Sequence, residues 1–532
     1  MGRGDDAPHR QHPLQREASD GVHHELRGRL RCPEPRLAVR PRGLPPPFTA
    51  ARDVRVPRVR RARLPRFRAP ADRGVPVPEV EDGAEPSHRA VRPAVRAPAA
   101  ADVGAGPRAV ARRAARSRLG GRQGRHLNRA GRGAPGVGED EVGVPRNERL
   151  RRDGDVEGGG ALGLYVHVPF CAAICAYCNF NRGLLDEDLK RAYVAAVTRE
   201  IERGGDGRRV DSIFFGGGTP SLLDVEEVAR VLDACRRAFD VAPDVEATLE
   251  MNPESCSADY VSGLLGTGIN RISLGVQSFH DGELARLGRA HSAEQARAAF
   301  AATREAGCGN VSLDMMLWLP AQTRAACAAS VEALVALAPE HASLYMLELY
   351  PNAPLREEAA RRGWSQAPDE DAAAMYLDAF ARTDLAGYEQ YEISNVARPG
   401  RRSRHNLKYW RDGEWLGFGC GAHSTRGGVR WKNLSETARY VDAVERGAPV
   451  AETRRRLSLD ERLGDALFTG LRLAEGIDAA VVGRRYGVDL EARYGSDVGR
   501  FVDAGWMIAA GGRWRLTRAG MLISNEVLST FV

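Results

Sequence analysis

Short apolar runs alternate with longer amphipathic stretches from about residue 162 onward. Apolar runs of about four to eight residues indicate buried strands, whereas apolar residues spaced three and four apart indicate helices that pack on one face. The predicted strands are Leu162–Val168, Val210–Phe215, Glu246–Glu250, Arg271–Val276, Val311–Leu317 and Ala342–Leu349. The predicted helices between them include Glu187–Glu202, Val225–Phe239, Ala293–Glu305 and Arg324–Leu337.

This strand–helix alternation extends over residues 161–355. It predicts an α/β fold in which a parallel sheet carries its helices on the outer face. Pattern alone does not separate an open sheet from a barrel. Glycines, Cys and charged residues follow or end successive strands, and barrel folds place their sites at those ends. We therefore predict a partial (β/α)6, TIM-like barrel.

The alternation stops at about residue 355. Residues 356–456 form a connecting region rich in Gly and aromatic residues, which we expect to complete the site. Residues 457–532 predict a small helical, winged-helix-like module in which a hairpin turning at Gly511-Gly512 follows the helices. Its predicted elements are helices Asp460–Ala474, Ala479–Tyr486 and Leu490–Asp503 and strands Trp506–Ala509 and Trp514–Leu516. Such modules often bind DNA, but this one lacks a dense basic face, so packing or covering of a substrate is favoured.

Residues 1–160 differ from the rest of the chain in composition. They contain no Lys, Ile, Tyr or Trp, and they hold 34 Arg, 20 Asp or Glu and 19 of the 30 Pro. Such a segment has too little apolar surface to offset the entropy of ordering, so we expect a disordered Arg/Pro/Gly-rich extension. A basic tail or a transit peptide would be alternatives. A mis-assigned start is favoured, because GC-rich codons read upstream of a true start near Leu162 would give this composition.

The excess positive charge belongs to that extension. Its net charge is +14 and that of the whole chain is +7, so residues 161–532 carry −7. A negative domain does not favour binding to phosphates, and we expect no nucleic-acid partner. No apolar run approaches the roughly 20 residues of a membrane span, so any membrane contact is expected to be peripheral. Three of the nine Cys lie close together, which is typical of a metal site in a reducing compartment, and we expect a cytoplasmic protein.

Cys171, Cys175 and Cys178 directly follow the first predicted strand in the spacing C-x3-C-x2-C. Three thiolates on so short a loop can reach three corners of one iron–sulfur cubane. Because a fourth Cys is missing nearby, one iron stays open to the amino and carboxylate groups of an amino acid. A zinc knuckle would need a fourth ligand, and a chance group of buried Cys is the other alternative.

The Cys spacing, with an aromatic residue just before the last Cys, resembles the radical S-adenosylmethionine superfamily. The resemblance implies a 4Fe–4S cluster that binds this cofactor and cleaves it to methionine and a 5′-deoxyadenosyl radical. It further implies that several residues at strand ends surround the cofactor. These residues are Tyr165, Tyr177, Gly217, Gly218, Thr219 and Glu250. Taken alone, the glycine run would be a turn and Glu250 a solvated carboxylate.

A second group of polar residues follows the later strands. Gln277, Arg289 and Asp314 match residues that line a second cofactor-sized pocket in the family this chain resembles. A buried Asp needs a partner, and Arg289 would supply a charge-assisted one or share a ligand with it. Without the resemblance, a structural Asp–Arg pair would be the better interpretation.

All these segments together resemble the HemN/HemW group, which comprises oxygen-independent coproporphyrinogen III oxidases and HemW-type haem chaperones. The oxidases carry a further Cys where this chain has Phe180, whereas residues 404–410, with His405-Asn406 followed after two residues by Tyr409-Trp410, resemble the His-Asn and Tyr-Trp segment of the chaperone branch. The resemblance therefore favours a protein that binds haem, with His405 as a candidate axial ligand, and delivers it to haemoprotein acceptors. An electron donor is expected as a further partner. Coproporphyrinogen oxidation in porphyrin biosynthesis is the alternative, and a nucleic-acid-modifying radical enzyme is a weaker one. His405 would otherwise be a packing residue.

One residue departs from the family pattern. The fifth-strand segment usually has Gly before Leu-Pro, and this chain has Trp318 there. A bulky indole near the site would alter the volume of the second cofactor pocket.

Overall fold

A computed structural model of the protein describes residues 160–351 and 353–532. The extension predicted for residues 1–160 lies, except for Gly160, outside the described residues. The strands are β1 (Leu162–Val168), β2 (Phe170–Cys171), β3 (Gly183–Leu184), β4 (Arg209–Gly217), β5 (Asp240–Met251), β6 (Arg271–Gln277), β7 (Val311–Leu317), β8 (His341–Met346), β9 (Glu389–Gln390), β10 (Asn395–Ala397), β11 (Trp415–Phe418), β12 (His423–Arg426), β13 (Val429–Asn433), β14 (Ala451–Arg456), β15 (Ile477–Asp478), β16 (Met507–Ala510) and β17 (Arg513–Leu516).

Helices separate most of these strands. They are α1 (Glu187–Gly204), α2 (Val225–Ala238), α3 (Ala258–Thr267), α4 (Asp281–Arg286), α5 (Ala293–Glu305), α6 (Arg324–Leu337), α7 (Pro354–Arg362), α8 (Asp369–Leu385), α9 (Arg404–Trp410), α10 (Thr437–Glu445), α11 (Leu459–Gly470), α12 (Ala479–Tyr486), α13 (Leu490–Asp503), α14 (Arg518–Leu522) and α15 (Ser524–Leu528). Asp224 and Ser292 begin α2 and α5 with capping boxes, which satisfy free N–H groups of the first turn. Within the described residues, no helix is long and apolar enough to cross a bilayer.

The central feature is a sheet of twelve strands, counted within the described part of the chain. Its order is β14-β13-β12-β11-β1-β4-β5-β6-β7-β8-β10-β9. The six strands β1, β4, β5, β6, β7 and β8 are parallel neighbours in chain order, joined by helical crossovers. Crossovers of one hand place their helices on one face of such a sheet. The predicted partial (β/α)6 architecture is therefore confirmed.

Side chains alternate between the two faces of each parallel strand, because the strand repeat is two residues. In β1, Leu162, Leu164, Val166 and Val168 belong to the core beneath the helices. Tyr165 points to the opposite, inner face, together with Glu250 and Asp314, which line a common cavity with it. The inner face is therefore polar, and the apolar core lies between the sheet and the outer helices.

Residues 356–456 extend this sheet at both edges. The hairpin of β9 and β10 joins β8, while β11 pairs in parallel with β1 and continues into the antiparallel strands β12, β13 and β14. The short helix α9 crosses the amino-terminal ends of the parallel strands, where the Glu246 carboxylate accepts the backbone N–H groups of Arg404 and His405 at 2.8 and 3.2 Å. Lys408 adds an ion pair with Asp211 at 2.9 Å.

The carboxyl-terminal region is helical, as predicted, and its hairpin is followed by the short helices α14 and α15. Helices α11, α12 and α13 precede β16 and β17, and β15 joins the same small sheet. Trp514 is 1% exposed and donates from its indole N–H to Glu491 at 3.1 Å, which ties the hairpin to α13. A buried indole of this kind fixes the hairpin on the helices.

Candidate cofactor site

The three-Cys loop leaves the carboxyl-terminal end of β1. Cys171 ends β2, and a turn in which the Cys178 N–H donates to the Cys175 carbonyl brings the other two thiols back towards it. Backbone hydrogen bonds join Ala176 to Leu287 at 3.1 Å and to Leu355 at 2.9 Å. The loop is thus held from both sides by segments distant in sequence.

The thiols themselves suit an iron–sulfur cluster. Burial raises the pKa of Cys171 and of Cys178, and the neighbouring thiolates raise both values further. A bound cationic iron centre would offset this mutual repulsion once the thiols have lost their protons. Among the described residues, no three His, Cys, Asp or Glu side chains are arranged to hold a single metal ion. A cubane spans its ligands more widely than one ion does.

The glycine run at the end of β4 presses against this loop. The Gly218 N–H donates to the Val168 carbonyl and the Thr219 N–H to the Phe170 carbonyl, both at 2.7 Å. A Cβ on Gly218 would lie 2.6 Å from the Phe170 oxygen and 3.0 Å from the Cys171 sulfur. The hydroxyl of Thr219 is hydrogen-bonded to the Cys171 thiol and accepts a bond from Asn252 at 3.3 Å. Only a residue without a side chain allows this close approach.

Arg289 lies beside the cluster loop. Its guanidinium donates to the Cys175 sulfur at 3.3 Å, to the Asn252 side-chain oxygen at 2.7 Å and to the Gly275 carbonyl at 2.9 Å. Arg289 and Asp314 do not pair directly, because Asp314 accepts hydrogen bonds from Ser273 at 3.0 Å and from Ser312 at 3.4 Å instead. A ligand shared by the two residues stays a prediction. Arg289 therefore supplies positive charge to the thiolates rather than to the buried carboxylate.

Tyr177 packs beneath the same loop. Its ring joins a small apolar cluster that includes Leu287 and Leu355, and its hydroxyl is hydrogen-bonded to Arg289. Burial raises the pKa of Tyr177 strongly, so the phenol stays neutral. The packed Tyr177 side chain therefore helps to set the distance between the Cys loop and the sheet.

Two non-glycine residues at strand ends adopt the left-handed backbone conformation. Gln277 has φ 66° and ends β6, and Trp318 has φ 60° and follows β7. Such conformations are strained and often mark functional sites. The position of Trp318 explains why Gly is the usual residue there. Its indole N–H donates to the Ala367 carbonyl at 2.7 Å, so the ring is anchored to the segment before α8.

A polar cavity of about 200 Å³ lies on the inner face of the sheet. Tyr165, Glu250, Asp314 and His405 line it, so the structure brings these predicted residues together. Burial, with a smaller contribution from the Asp314 charge, raises the pKa of Glu250 to about 8. The Glu250 carboxyl accepts the Gly217 N–H at 3.3 Å, which links the cavity to the glycine run beside the cluster loop.

His405 lies at the opposite end of the cavity from the three Cys. It is 1% exposed, and burial lowers its pKa to about 3. Its Nδ1 is 3.0 Å from the Ser212 hydroxyl and its Nε2 is 2.8 Å from the Tyr409 hydroxyl. Both ring nitrogens are engaged, so coordination of a haem iron would require one of these hydrogen bonds to break. The predicted ligand role of His405 stays a prediction.

Three residues of this site carry no prediction from the sequence. Asn252 connects Thr219 to Arg289, Arg271 is a buried cation at the cavity wall, and Tyr345 faces the same cavity. Arg271 is 2% exposed and its Nε has no hydrogen-bond partner among the described residues. The sequence could have identified Arg271, because it begins an otherwise apolar strand and a charged side chain is rarely buried unless it is paired.

Comparison with known proteins agrees with this geometry. The family description "Radical SAM superfamily" matches residues 165–334, and "HemN C-terminal domain" matches residues 457–523. The chain is 33% identical to the heme chaperone HemW of Bacillus subtilis over 374 residues, which cover 69% of this chain and 98% of that protein. It is 39% identical to the radical S-adenosyl methionine domain-containing protein 1, mitochondrial, of Bos taurus over 60% of this chain and 75% of that protein.

A solved structure shows the same fold. The coproporphyrinogen III oxidase HemN of Escherichia coli, described as a radical SAM enzyme, superposes with a TM-score of 0.62 over 71% of this chain and 91% of that one, at 22% identity. At this identity the likeness concerns the fold alone. The HemW proteins of Bacillus subtilis and of Escherichia coli, the latter 31% identical, are each matched over 98% of their length. The chain therefore belongs to the HemW family of radical S-adenosylmethionine proteins.

Proposed function

We propose that the protein holds a 4Fe–4S cluster on Cys171, Cys175 and Cys178 and binds S-adenosylmethionine at its open iron. The observation that carries this proposal is the three-thiol loop, pinned to the barrel and faced by the Arg289 guanidinium. When bound and reduced, the cluster supplies an electron that cleaves S-adenosylmethionine to methionine and a 5′-deoxyadenosyl radical. The protein supplies orientation and excludes side reactions.

The cofactor residues fall into two layers. The first layer lies at the Cys loop and consists of Tyr177, Gly218 and Thr219. The second layer lines the cavity and consists of Tyr165 and Glu250. Gly217 joins the two layers, because its N–H donates to Glu250. Glu250 is suited to bind ribose hydroxyls, since burial keeps its proton near neutral pH and gives it both a donor and an acceptor. Gln277, Arg289 and Asp314 remain candidates for a second cofactor pocket.

We further propose that the protein binds haem and passes it to haemoproteins. The support is that the relatives matched along almost their whole length are named heme chaperones. The cavity of about 200 Å³ does not admit a haem, since a dry cavity of about 150 Å³ holds benzene and a haem has about seven times as many non-hydrogen atoms. Haem therefore binds outside this cavity, or His405 reaches it only after α9 moves.

A haem titration of wild type and His405→Ala tests the ligand. His341→Ala is a matched control, because His341 is equally buried and its two nitrogens also bond a Ser and a Tyr, Ser312 and Tyr391, each at 2.8 Å. Loss of haem affinity in His405→Ala alone supports His405. Unchanged affinity and absorption spectrum in that variant remove it from the haem site.

Coproporphyrinogen III oxidation is the competing function. The position at which the oxidases carry a further Cys is Phe180 here, 63% exposed on the cluster loop. Incubation of the cluster-loaded protein with coproporphyrinogen III, S-adenosylmethionine and a reductant separates the two functions. We expect the porphyrinogen to stay unchanged, and formation of protoporphyrinogen would overturn the chaperone proposal.

A further inference from the structure

Five aromatic side chains form a continuous row from the cavity to the amino-terminal end of the sheet. They are Tyr165, Phe214, His405, Tyr409 and Trp415, and we call them the aromatic row. Ring centroids lie 6.3 Å apart for Tyr165 and Phe214, 5.2 Å for Phe214 and His405, and 5.0 Å for His405 and Tyr409. Tyr409 and Trp415 complete the row at 4.7 Å. These separations are contact distances for aromatic pairs.

Each phenol in the row is hydrogen-bonded to an imidazole. The Tyr165 hydroxyl lies 3.0 Å from His167 Nδ1, and His167 Nε2 lies 2.7 Å from the Asn181 carbonyl. A carbonyl only accepts, so Nε2 carries the hydrogen, Nδ1 is the acceptor and Tyr165 donates to it. The Tyr409 hydroxyl is likewise 2.8 Å from His405 Nε2.

This pairing is not general among the buried tyrosines, although Tyr391 and His341 share it outside the row. The buried tyrosines Tyr376 and Tyr388 donate to backbone carbonyls, of Ile393 at 2.7 Å and of Pro339 at 2.6 Å. A backbone carbonyl is a very weak base, whereas an imidazole is a much stronger one, even where burial lowers its pKa as it does for His167 and His405. A phenol beside an imidazole can therefore lose one electron and its hydroxyl proton together. Oxidation of Tyr376 or Tyr388 would instead leave a strongly acidic phenol cation.

The two ends of the row differ in exposure. Tyr165 and Tyr409 both line the cavity, and burial raises the pKa of both phenols. Trp415 is partly exposed at the start of β11, and its indole N–H donates to the His423 carbonyl at 3.1 Å. The row thus connects an enclosed reaction space with the surface.

We propose that the aromatic row is a relay that carries an oxidising equivalent out of the cavity. A primary carbon-centred radical formed there takes the phenol hydrogen atom of Tyr165, forming a C–H bond that is stronger than the O–H bond that breaks. The resulting phenoxyl takes an electron from Tyr409 and a proton that enters the cavity from solvent, which is balanced by the proton that the thiol later releases to solvent. Tyr409 releases its own proton to His405.

The relay is restored from the surface. An electron passes from Trp415 to the Tyr409 phenoxyl, and the proton returns from His405. A thiol then reduces Trp415, losing one electron and one proton to become a thiyl radical. In sum, the carbon radical gains one hydrogen atom and the thiol loses one. The relay would protect the interior when a radical forms without a partner to react with, and this goes beyond the haem-delivery function.

Pulse radiolysis with azide radicals tests the relay without any cofactor. Azide radicals oxidise tryptophan, and the tryptophanyl radical then takes an electron from tyrosine, which is the reverse of the proposed step along the same contact. This transfer appears as decay of tryptophanyl absorbance with growth of tyrosyl absorbance. We expect a fast, concentration-independent phase in the full chain that Tyr409→Phe and Trp415→Phe each abolish. Tyr391→Phe is the matched control, since Tyr391 is also buried and bonded to a histidine, His341, outside the row.

A second measurement needs no variant. Because the proton moves with the electron, the fast phase should slow at least twofold in D2O. A fast phase that survives in Tyr409→Phe, or that is equally reduced in Tyr391→Phe, overturns the relay. So does an unchanged rate in D2O. None of these outcomes depends on haem binding, so failure of the relay and failure of the proposed function are distinguishable.

Discussion

Replacement of Gly218 by Ala tests whether the glycine run sets the position of the Cys loop. The added Cβ would lie 2.6 Å from the Phe170 oxygen, about 0.8 Å inside the 3.4 Å at which ordinary contact begins. That oxygen cannot retreat freely, because it accepts the Thr219 N–H at 2.7 Å. The Val168 oxygen, 3.0 Å from the new atom, is held in the same way by the Gly218 N–H.

The expected magnitude follows from these distances. Overpacking of this kind costs roughly 1–3 kcal/mol of folding stability. Metal–ligand distances tolerate only about 0.2 Å, so a loop shift several times larger should remove most of the cluster. Iron and sulfide per chain after anaerobic reconstitution, together with urea unfolding of the cluster-free protein, measure both effects.

The control is Gly309→Ala. A Cβ on Gly309 meets nothing within 4 Å, so this variant should keep wild-type stability and iron content. If Gly218→Ala also binds the full complement of iron and unfolds at the wild-type urea concentration, the close approach of the two segments is refuted.

Three further predictions concern the buried charges. Arg289→Lys keeps the positive charge but loses the forked guanidinium that binds Asn252, Gly275 and Cys175. We therefore expect urea unfolding to show a loss of roughly 1–3 kcal/mol of folding stability. An unchanged unfolding midpoint would contradict those contacts. Burial raises the pKa of Glu200 to about 7, so the folded state binds an extra proton, and this contribution to stability is lost as pH rises from about 4.5 to 7. Glu200→Gln should therefore reduce the fall in unfolding free energy that the wild type shows over this pH range. Equal slopes of unfolding free energy against pH in the two proteins would contradict the prediction. Burial raises the pKa of the Cys171 and Cys178 thiols, so iron loading should rise with pH between about 7 and 9. A constant yield would show that proton loss does not limit assembly.

The parallel half of the fold could be predicted closely from the sequence. The predicted bounds of β1 and β7 agree with the structure, because buried apolar residues recur at every second position along both strands. The extension of the sheet by β11 could not be predicted. Trp415 pairs with Gly163, more than 250 residues earlier, and four residues carry too little periodicity to identify such a partner.

The site was predictable as a set of residues but not as a geometry. Spacing placed the three Cys on one loop, whereas the separation of Arg289 from Asp314 depends on which face of each strand end the side chain takes. His405 shows the same limit. Its motif identifies the residue, but only the structure shows that Ser212 and Tyr409 occupy both ring nitrogens.

Transfer of haem from the cluster-loaded protein to a haem-free haemoprotein is the most direct test of the proposed function. Under anaerobic conditions the acceptor should gain its haem absorption spectrum faster than from free haem at the same concentration. Transfer no faster than from free haem, together with conversion of coproporphyrinogen III to protoporphyrinogen in the same preparation, would contradict the assignment as a haem chaperone.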